Sequence, residues 1–200
     1  MIHQSKIKEL RNKNDKYLTP FSVIQQLLDY KTDIPKNATI FEPCCSPEKT
    51  IVTTLEKNGF TNISYNIYDE NKPETNFLSF DETKQYDYII TNTPYGKIAI
   101  DFISKMKKVA TKQVIALYNF NTLTGAKNYK CIWSNPTYKL KEIYIFIRPC
   151  WLTDTPRHDG KYKTGINGYA WFVWENGYDG EPILRHIDNN RFVLTQNDKC

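Results

Sequence analysis

The chain has 200 residues, enough for one medium domain with a sizeable core. Hydrophobic residues at 40% and charged residues at 24% are ordinary for a globular protein, and a net charge of +5 permits a polyanionic partner without requiring one. No apolar stretch approaches the roughly 18 residues that cross a membrane, and the start Met1-Ile2-His3-Gln4-Ser5-Lys6 lacks the apolar run of a secretory signal, so a cytosolic protein without membrane contact is expected.

Residues 1–14 read as a polar arm, and one domain is expected over 15–200. Thr19 suits a helix N-cap with Pro20 at the first helical position, and Phe21, Ile24, Leu27 and Leu28 then recur at helical spacing to about Tyr30. A buried strand is expected over 38–41, a helix over 50–58 closed by Gly59, and a strand over 62–68. A short edge strand is expected at 76–78 and a buried strand at 86–91. Ile98, Phe102, Ile103, Met106 and Val109 mark a helix, with Lys105, Lys107 and Lys108 near its C-terminus, where the dipole favours cations. Strands follow at 114–118, 140–147 and 169–175. Strands alternating with helices, then a strand–loop–strand ending, predict an α/β domain whose mostly parallel sheet has one antiparallel member.

Five cysteines (Cys44, Cys45, Cys131, Cys150, Cys200) form no CxxC pair, and His3, His158 and His186 are scattered, so no metal site is expected. The adjacent Cys44 and Cys45 suit reduced thiols serving as small hydrophobes. Two long connections interleave basic and aromatic residues. Residues 120–137 carry Lys127, Tyr129, Lys130 and Trp133; residues 150–168 carry Arg157, His158, Lys161, Tyr162 and Lys163. Such loops suit phosphate contact with stacking, and they equally suit exposed loops of average polarity.

The tetrapeptide Asn92-Thr93-Pro94-Tyr95 ends the apolar run Tyr88-Ile89-Ile90. Ligands of open α/β sheets bind just outside the carboxyl ends of the strands. An enzyme acting on a nucleobase needs a stacking face and acceptors for an exocyclic amine. The Asn92 side chain and the Thr93 carbonyl supply acceptors, Tyr95 supplies the face, and Pro94 stiffens the loop. Taken alone, the four residues equally suit an ordinary Thr-Pro turn after a strand.

Several segments in order resemble the S-adenosylmethionine-dependent adenine-N6 DNA methyltransferases, in particular the small phage-type enzymes. The tetrapeptide is similar to their Asn/Asp/Ser-Pro-Pro-aromatic motif at three of four positions. Upstream, Tyr17-Leu18-Thr19-Pro20 resembles the Tyr-x-Thr-Pro element that opens such enzymes. Ile40-Phe41-Glu42-Pro43-Cys44-Cys45 resembles the start of their methionine-binding loop. Arg148-Pro149 and Tyr169-Ala170-Trp171-Phe172-Val173-Trp174-Glu175 resemble their last strands, so the likeness spans residues 15–187. It implies a Rossmann-like single domain with a seven-stranded sheet. It also implies catalysis by Asn92, Thr93, Pro94 and Tyr95, and cofactor contacts from Tyr17, Thr19, Pro20, Glu42, Pro43, Cys44, Asn66, Asn76 and Phe77. The implied partner is double-stranded DNA, contacted through Lys127, Lys130, Arg157, Lys161 and Lys163, with RNA as the alternative.

The chain departs from that pattern on the cofactor side. Where the family carries Gly-x-Gly, it has Cys45-Ser46-Pro47-Glu48-Lys49, without a glycine. Asn66 stands at the acidic ribose position, and Asn76 where the family has Asp. These changes predict weak or lost S-adenosylmethionine binding. Three functions therefore remain in view: a DNA adenine methyltransferase, a catalytically inactive module of the same fold that binds nucleic acid or protein, and an RNA adenine methyltransferase.

Overall fold

The computed structural model describes residues 19–69, 71–147, 158 and 168–188. Four helices and seven strands alternate along them: α1 (Phe21–Tyr30), β1 (Thr39–Cys45), α2 (Thr50–Lys57), β2 (Asn62–Ile67), β3 (Tyr86–Thr91), α3 (Ala99–Val109), β4 (Ala110–Asn119), α4 (Ala126–Ile132), β5 (Tyr138–Phe146), β6 (Tyr169–Asn176) and β7 (Ile183–Ile187). The sheet order is β2-β1-β3-β4-β6-β5-β7. All adjacent pairs are parallel except those made by β6, which runs antiparallel to β4 and to β5.

The inner strands are apolar on both faces because helices cover both. Ile40, Ile90, Ile115, Trp171 and Val173 pack with Val23, Ile24 and Leu27 of α1 and with Ile51 and Leu55 of α2. Their neighbours Phe41, Ile89, Val114, Phe172 and Trp174 pack with Phe102, Ile103 and Met106 of α3 and with Ile132 of α4. Trp171, Trp174 and Tyr118 are fully buried. Each such large side chain contributes on the order of 2–3 kcal/mol of burial.

β3 occupies the residues expected of it. α2 ends as expected too: Gly59 takes φ +84, its amide donates to the Glu56 carbonyl (2.9 Å), and the Phe60 amide donates to that of Leu55 (3.2 Å). α1 starts one residue later than Thr19-Pro20 suggested. Pro20 is the extended cap residue, the helix has no side-chain cap, and Phe21 is 42% exposed rather than core-facing. Lys105 and Lys107 are buried rather than merely dipole-facing: Lys105 Nζ donates to the Phe80 carbonyl, and Lys107 Nζ to that of Tyr138 (3.1 Å).

The edge strand expected at 76–78 is absent. Two short 3-10 turns, Pro73–Thr75 and Phe77–Ser79, take its place. Asn76 Oδ1 accepts from the Leu78 amide (3.1 Å), which turns the chain and sends Phe77 into the core. The seventh strand lies at the other edge as β7, and an ion network centred on the buried Lys31 and Glu142 holds it. Lys31 Nζ lies 3.0 Å from Glu142 Oε2 and 2.7 Å from Asp33 Oδ1, while Arg185 Nε donates to Glu142 Oε1 at 2.7 Å. No helix among the described residues is long and apolar enough to cross a membrane.

Candidate functional site

Sequence order reverses direction in the sheet at β1, which has β2 on one side and β3 on the other. Loops leaving the carboxyl ends of β1 and β3 therefore part and leave a crevice between them. A cavity of about 770 Å³ fills it, lined by Cys44 to Glu48 from the end of β1 onward, by Ile67, Tyr68 and Asp69 from the end of β2 onward, by Lys72 and Thr75, and by Asn92 to Tyr95 after β3. That volume suits a small organic ligand.

The tetrapeptide is cross-tied on its β3 side. Asn92 Nδ2 donates to Thr19 Oγ1 (2.9 Å), and Tyr95 Oη donates to Asn92 Oδ1 (2.6 Å). Thr19 thus spends its hydroxyl on a residue 73 positions away instead of capping α1. Thr93 is 2% exposed, and its hydroxyl donates to Tyr118 Oη of β4 at 2.5 Å. Burial holds the Tyr118 phenol above its ordinary range, so it stays neutral. The rigidity lost by having threonine before Pro94 is recovered through this bond. The Tyr95 ring meets Tyr118 (6.2 Å) and Tyr169 (5.8 Å) edge-on, and Gly96 follows at φ +87, where the chain turns into α3.

The β1 side is differently made. Lys49, at φ 51 and ψ 38, is the one non-glycine residue with left-handed backbone among the described residues. It stands in the loop where the resemblance led one to expect glycines. The loop keeps that conformation without them, at about 1–2 kcal/mol. Ser46 Oγ and Glu42 Oε2 are buried without a hydrogen-bond partner. Glu42 is 3% exposed, and burial pushes its carboxyl up to about 8 although the Cys45 thiol and the Val52 amide in the first turn of α2 favour its charge. Cys44 and Cys45 are free cysteines whose thiols burial pushes up, so neither is a reactive thiolate.

Of the residues singled out in the sequence, Cys44, Asn92, Thr93, Pro94 and Tyr95 line the cavity, and Thr19 touches it through Asn92. Glu42 and Pro43 sit on β1 beneath the loop and are not among the lining residues. Pro20 caps α1. Asn66 is turned to a structural task, its Nδ2 donating to the carbonyls of Pro43 (2.9 Å) and Thr75 (2.8 Å). Asn66 and Phe77 line a second, aromatic groove of about 490 Å³ beside Phe41, Phe80 and Tyr86. Asn76 holds the 3-10 turn. Two acids line the cavity, Glu48 in the loop after β1 and Asp69 past the end of β2, the latter with Oδ1 accepting from the Asn71 amide (3.0 Å). Asp69 lies three residues beyond the aligned position Asn66, and the Asp-Glu-Asn run that follows β2 was the available signal.

Among the described residues, the one expected nucleic-acid contact whose side chain is placed, Lys130, stands away from the cavity. Lys130 is exposed in a polar cleft with Lys107, Lys108, Ala110 and Tyr138, at the amino ends of β4 and β5 and thus at the opposite end of the sheet from Asn92. Trp133 is not a stacking platform: its Nε1 donates to the Leu123 carbonyl (3.3 Å) and its ring joins the core. The backbone of Lys127 lies in the first turn of α4. Tyr17, Arg148, Pro149, Arg157, Lys161, Tyr162 and Lys163 lie outside the described residues.

No family model matches the sequence, and no curated protein matches it. Solved structures do. A candidate class I S-adenosylmethionine-dependent methyltransferase from Listeria monocytogenes superposes over 90% of this chain and 70% of its own, with a TM-score of 0.58 and 13% identity. The chain has the methyltransferase fold. A candidate RNA methyltransferase from Pyrococcus horikoshii matches over 81% of this chain and 87% of its own (TM-score 0.57, 12% identity). A magnesium protoporphyrin IX methyltransferase from Synechocystis PCC 6803, solved with bound S-adenosylmethionine, matches over 78% and 77% (TM-score 0.51, 11% identity). What the three share with this chain is its architecture.

Proposed function

We propose that the protein is an S-adenosylmethionine-dependent adenine-N6 methyltransferase acting on DNA. The observation that carries this reading is the convergence on one cavity of an amide oxygen, Asn92 Oδ1, an aromatic ring, Tyr95, and the loop after β1. The residues present fit the cofactor. The cavity has the necessary volume, and Ser46 Oγ, in its β1 wall, is buried without a hydrogen-bond partner, where an ammonium group would satisfy it. Asp69 supplies a carboxylate for ribose hydroxyls in place of Asn66. When bound, S-adenosylmethionine supplies an electrophilic methyl group.

The chain's own part is to orient the base. Asn92 Oδ1 and the Thr93 carbonyl accept the two N6–H bonds of an extruded adenine, which turns the nitrogen lone pair toward the cofactor side of the cavity. An amide oxygen has two acceptor sites, so the Tyr95 hydroxyl leaves one for the base. Tyr95 stacks on the adenine face, a contact worth about 1–3 kcal/mol. Positioning of this kind lowers a barrier by several kcal/mol.

A second reading, a non-catalytic module that binds nucleic acid, is favoured by one feature: the Glu48 carboxylate in the cavity wall repels the carboxylate of an amino-acid cofactor. Titration calorimetry with S-adenosylmethionine and radiolabelled methyl incorporation into duplex DNA, with single-stranded RNA as a parallel substrate, separate the readings. Asn92→Ala is expected to abolish methylation while leaving DNA retention within about twofold. Undiminished methylation by that variant removes the basis of the proposal. Absent cofactor binding by the unaltered protein favours the module.

A further inference from the structure

The Asn92 amide can turn by 180° and so present either Oδ1 or Nδ2 to whatever occupies the cavity. Only Oδ1 suits an adenine amine; Nδ2 in its place would set donor against donor. Two hydroxyls hold the group, Thr19 Oγ1 accepting from Nδ2 at 2.9 Å and Tyr95 Oη donating to Oδ1 at 2.6 Å. Either hydroxyl is able to donate or accept. A phenol, however, is the more acidic hydroxyl and the better donor, whereas an aliphatic hydroxyl is the better acceptor. The observed pairing is therefore favoured over its reverse. Thr19 is 6% exposed, so water competes little for its oxygen, and it leads directly into α1, whose Val23, Ile24 and Leu27 are packed against the sheet. The acceptor thus stands two residues before a helix packed on the sheet.

We infer that Thr19 is a positioning residue: its hydroxyl fixes the Asn92 amide with the oxygen available to the target amine. This role rests on the adenine-N6 reading above. It extends that reading by assigning the Thr-Pro segment to the target base rather than to the cofactor.

The test uses Thr19→Val, which keeps the shape and deletes the acceptor, with Thr19→Ala as a second deletion and Thr19→Ser as the variant that retains it. In an NH₂-selective nitrogen–proton spectrum, the Asn92 amide signals are identified by their loss in Asn92→Asp. They are expected to move and to exchange faster with water in Thr19→Val and Thr19→Ala, and to stay near their original positions in Thr19→Ser. Unmoved signals in both deletions overturn the inference.

In turnover assays, Thr19→Val is expected to lower kcat about ten- to a hundredfold, with S-adenosylmethionine affinity unchanged and with recovery in Thr19→Ser. Against an Asn92→Asp background both carboxylate oxygens accept, so orientation ceases to matter. There Thr19→Val should change that background's rate by less than about twofold. An equal loss in both backgrounds overturns the inference, because a residue that only anchors α1 acts alike in each. Absence of methyl transfer by the unaltered protein counts against the adenine reading alone, and the amide spectrum then decides the positioning role by itself.

Discussion

On the β3 wall of the cavity, each polar side chain of the tetrapeptide has a partner inside the protein: Asn92 is tied to Thr19 and Tyr95, and Thr93 to Tyr118. On the β1 side, Ser46 Oγ in the wall and Glu42 Oε2 beneath it have none, and Lys49, next to the wall, holds a left-handed backbone without the freedom of glycine. The first wall is complete without a ligand and behaves as a preorganised surface. The second carries unsatisfied groups and strain, which a ligand with donors would relieve. The difference suits a protein that presents a rigid reading surface to one molecule and draws binding energy from another.

The sharpest way to break this contrast is to neutralise Glu42. Its carboxyl is pushed up by burial to about 8, so folding favours the protonated form. That contribution is fully present below the ordinary carboxylate value and is lost as pH rises through about 8. Chemical denaturation of the ligand-free protein should therefore lose a few kcal/mol, at most, between about pH 5 and pH 8. Glu42→Gln should flatten that slope and exceed the unaltered protein in stability at pH 8. An unchanged slope would show that Glu42 is solvated or paired.

The β3 wall can be tested by giving it the family's own residue. Thr93→Pro matches the resemblance but leaves the buried Tyr118 hydroxyl unpaired, and denaturant titration should register a loss of about 1–3 kcal/mol. Adding Tyr118→Phe should restore most of it. A stabilising Thr93→Pro would mean that the Thr93–Tyr118 bond contributes nothing.

Lys49→Gly asks whether the β1 wall is strained. Relief of the left-handed backbone, less the entropy that glycine adds to the unfolded chain, should raise stability by about 1 kcal/mol, seen as a higher denaturation midpoint. The smallest effect is expected at Lys130. Because it stands at the opposite end of the sheet from Asn92, beyond a Debye length of about 10 Å at 0.1 M salt, Lys130→Glu should change DNA affinity by less than about twofold. A larger loss in filter binding would place nucleic acid on the polar cleft instead.

Much of the fold was legible because its signals are local. The run Tyr88-Ile89-Ile90 reads as a buried strand, and Gly59 as the end of a helix whose apolar spacing stops just before it. The edge strand at 76–78 failed for an equally local reason of the opposite sign: Asn76 bonds to the Leu78 amide and competes with extended structure. β7 was missed because its exposed face and its ion pairs with β5 leave no alternating pattern to read.

The sequence by itself determined six of the seven strands, three of the four helices and the presence of an Asn-Thr-Pro-Tyr turn at a strand end, because periodicity and turn chemistry act over a few residues. Only the tertiary structure decided what those residues touch. It moved Asn66 from the cavity to a cross-link between two carbonyls and brought Asp69 to the cavity wall. It sent Lys130 to the far end of the sheet and joined Thr19 to Asn92 across 73 positions. Hydrogen-bond partners and burial are set by distances between segments far apart in the chain, and a linear pattern carries no record of those distances.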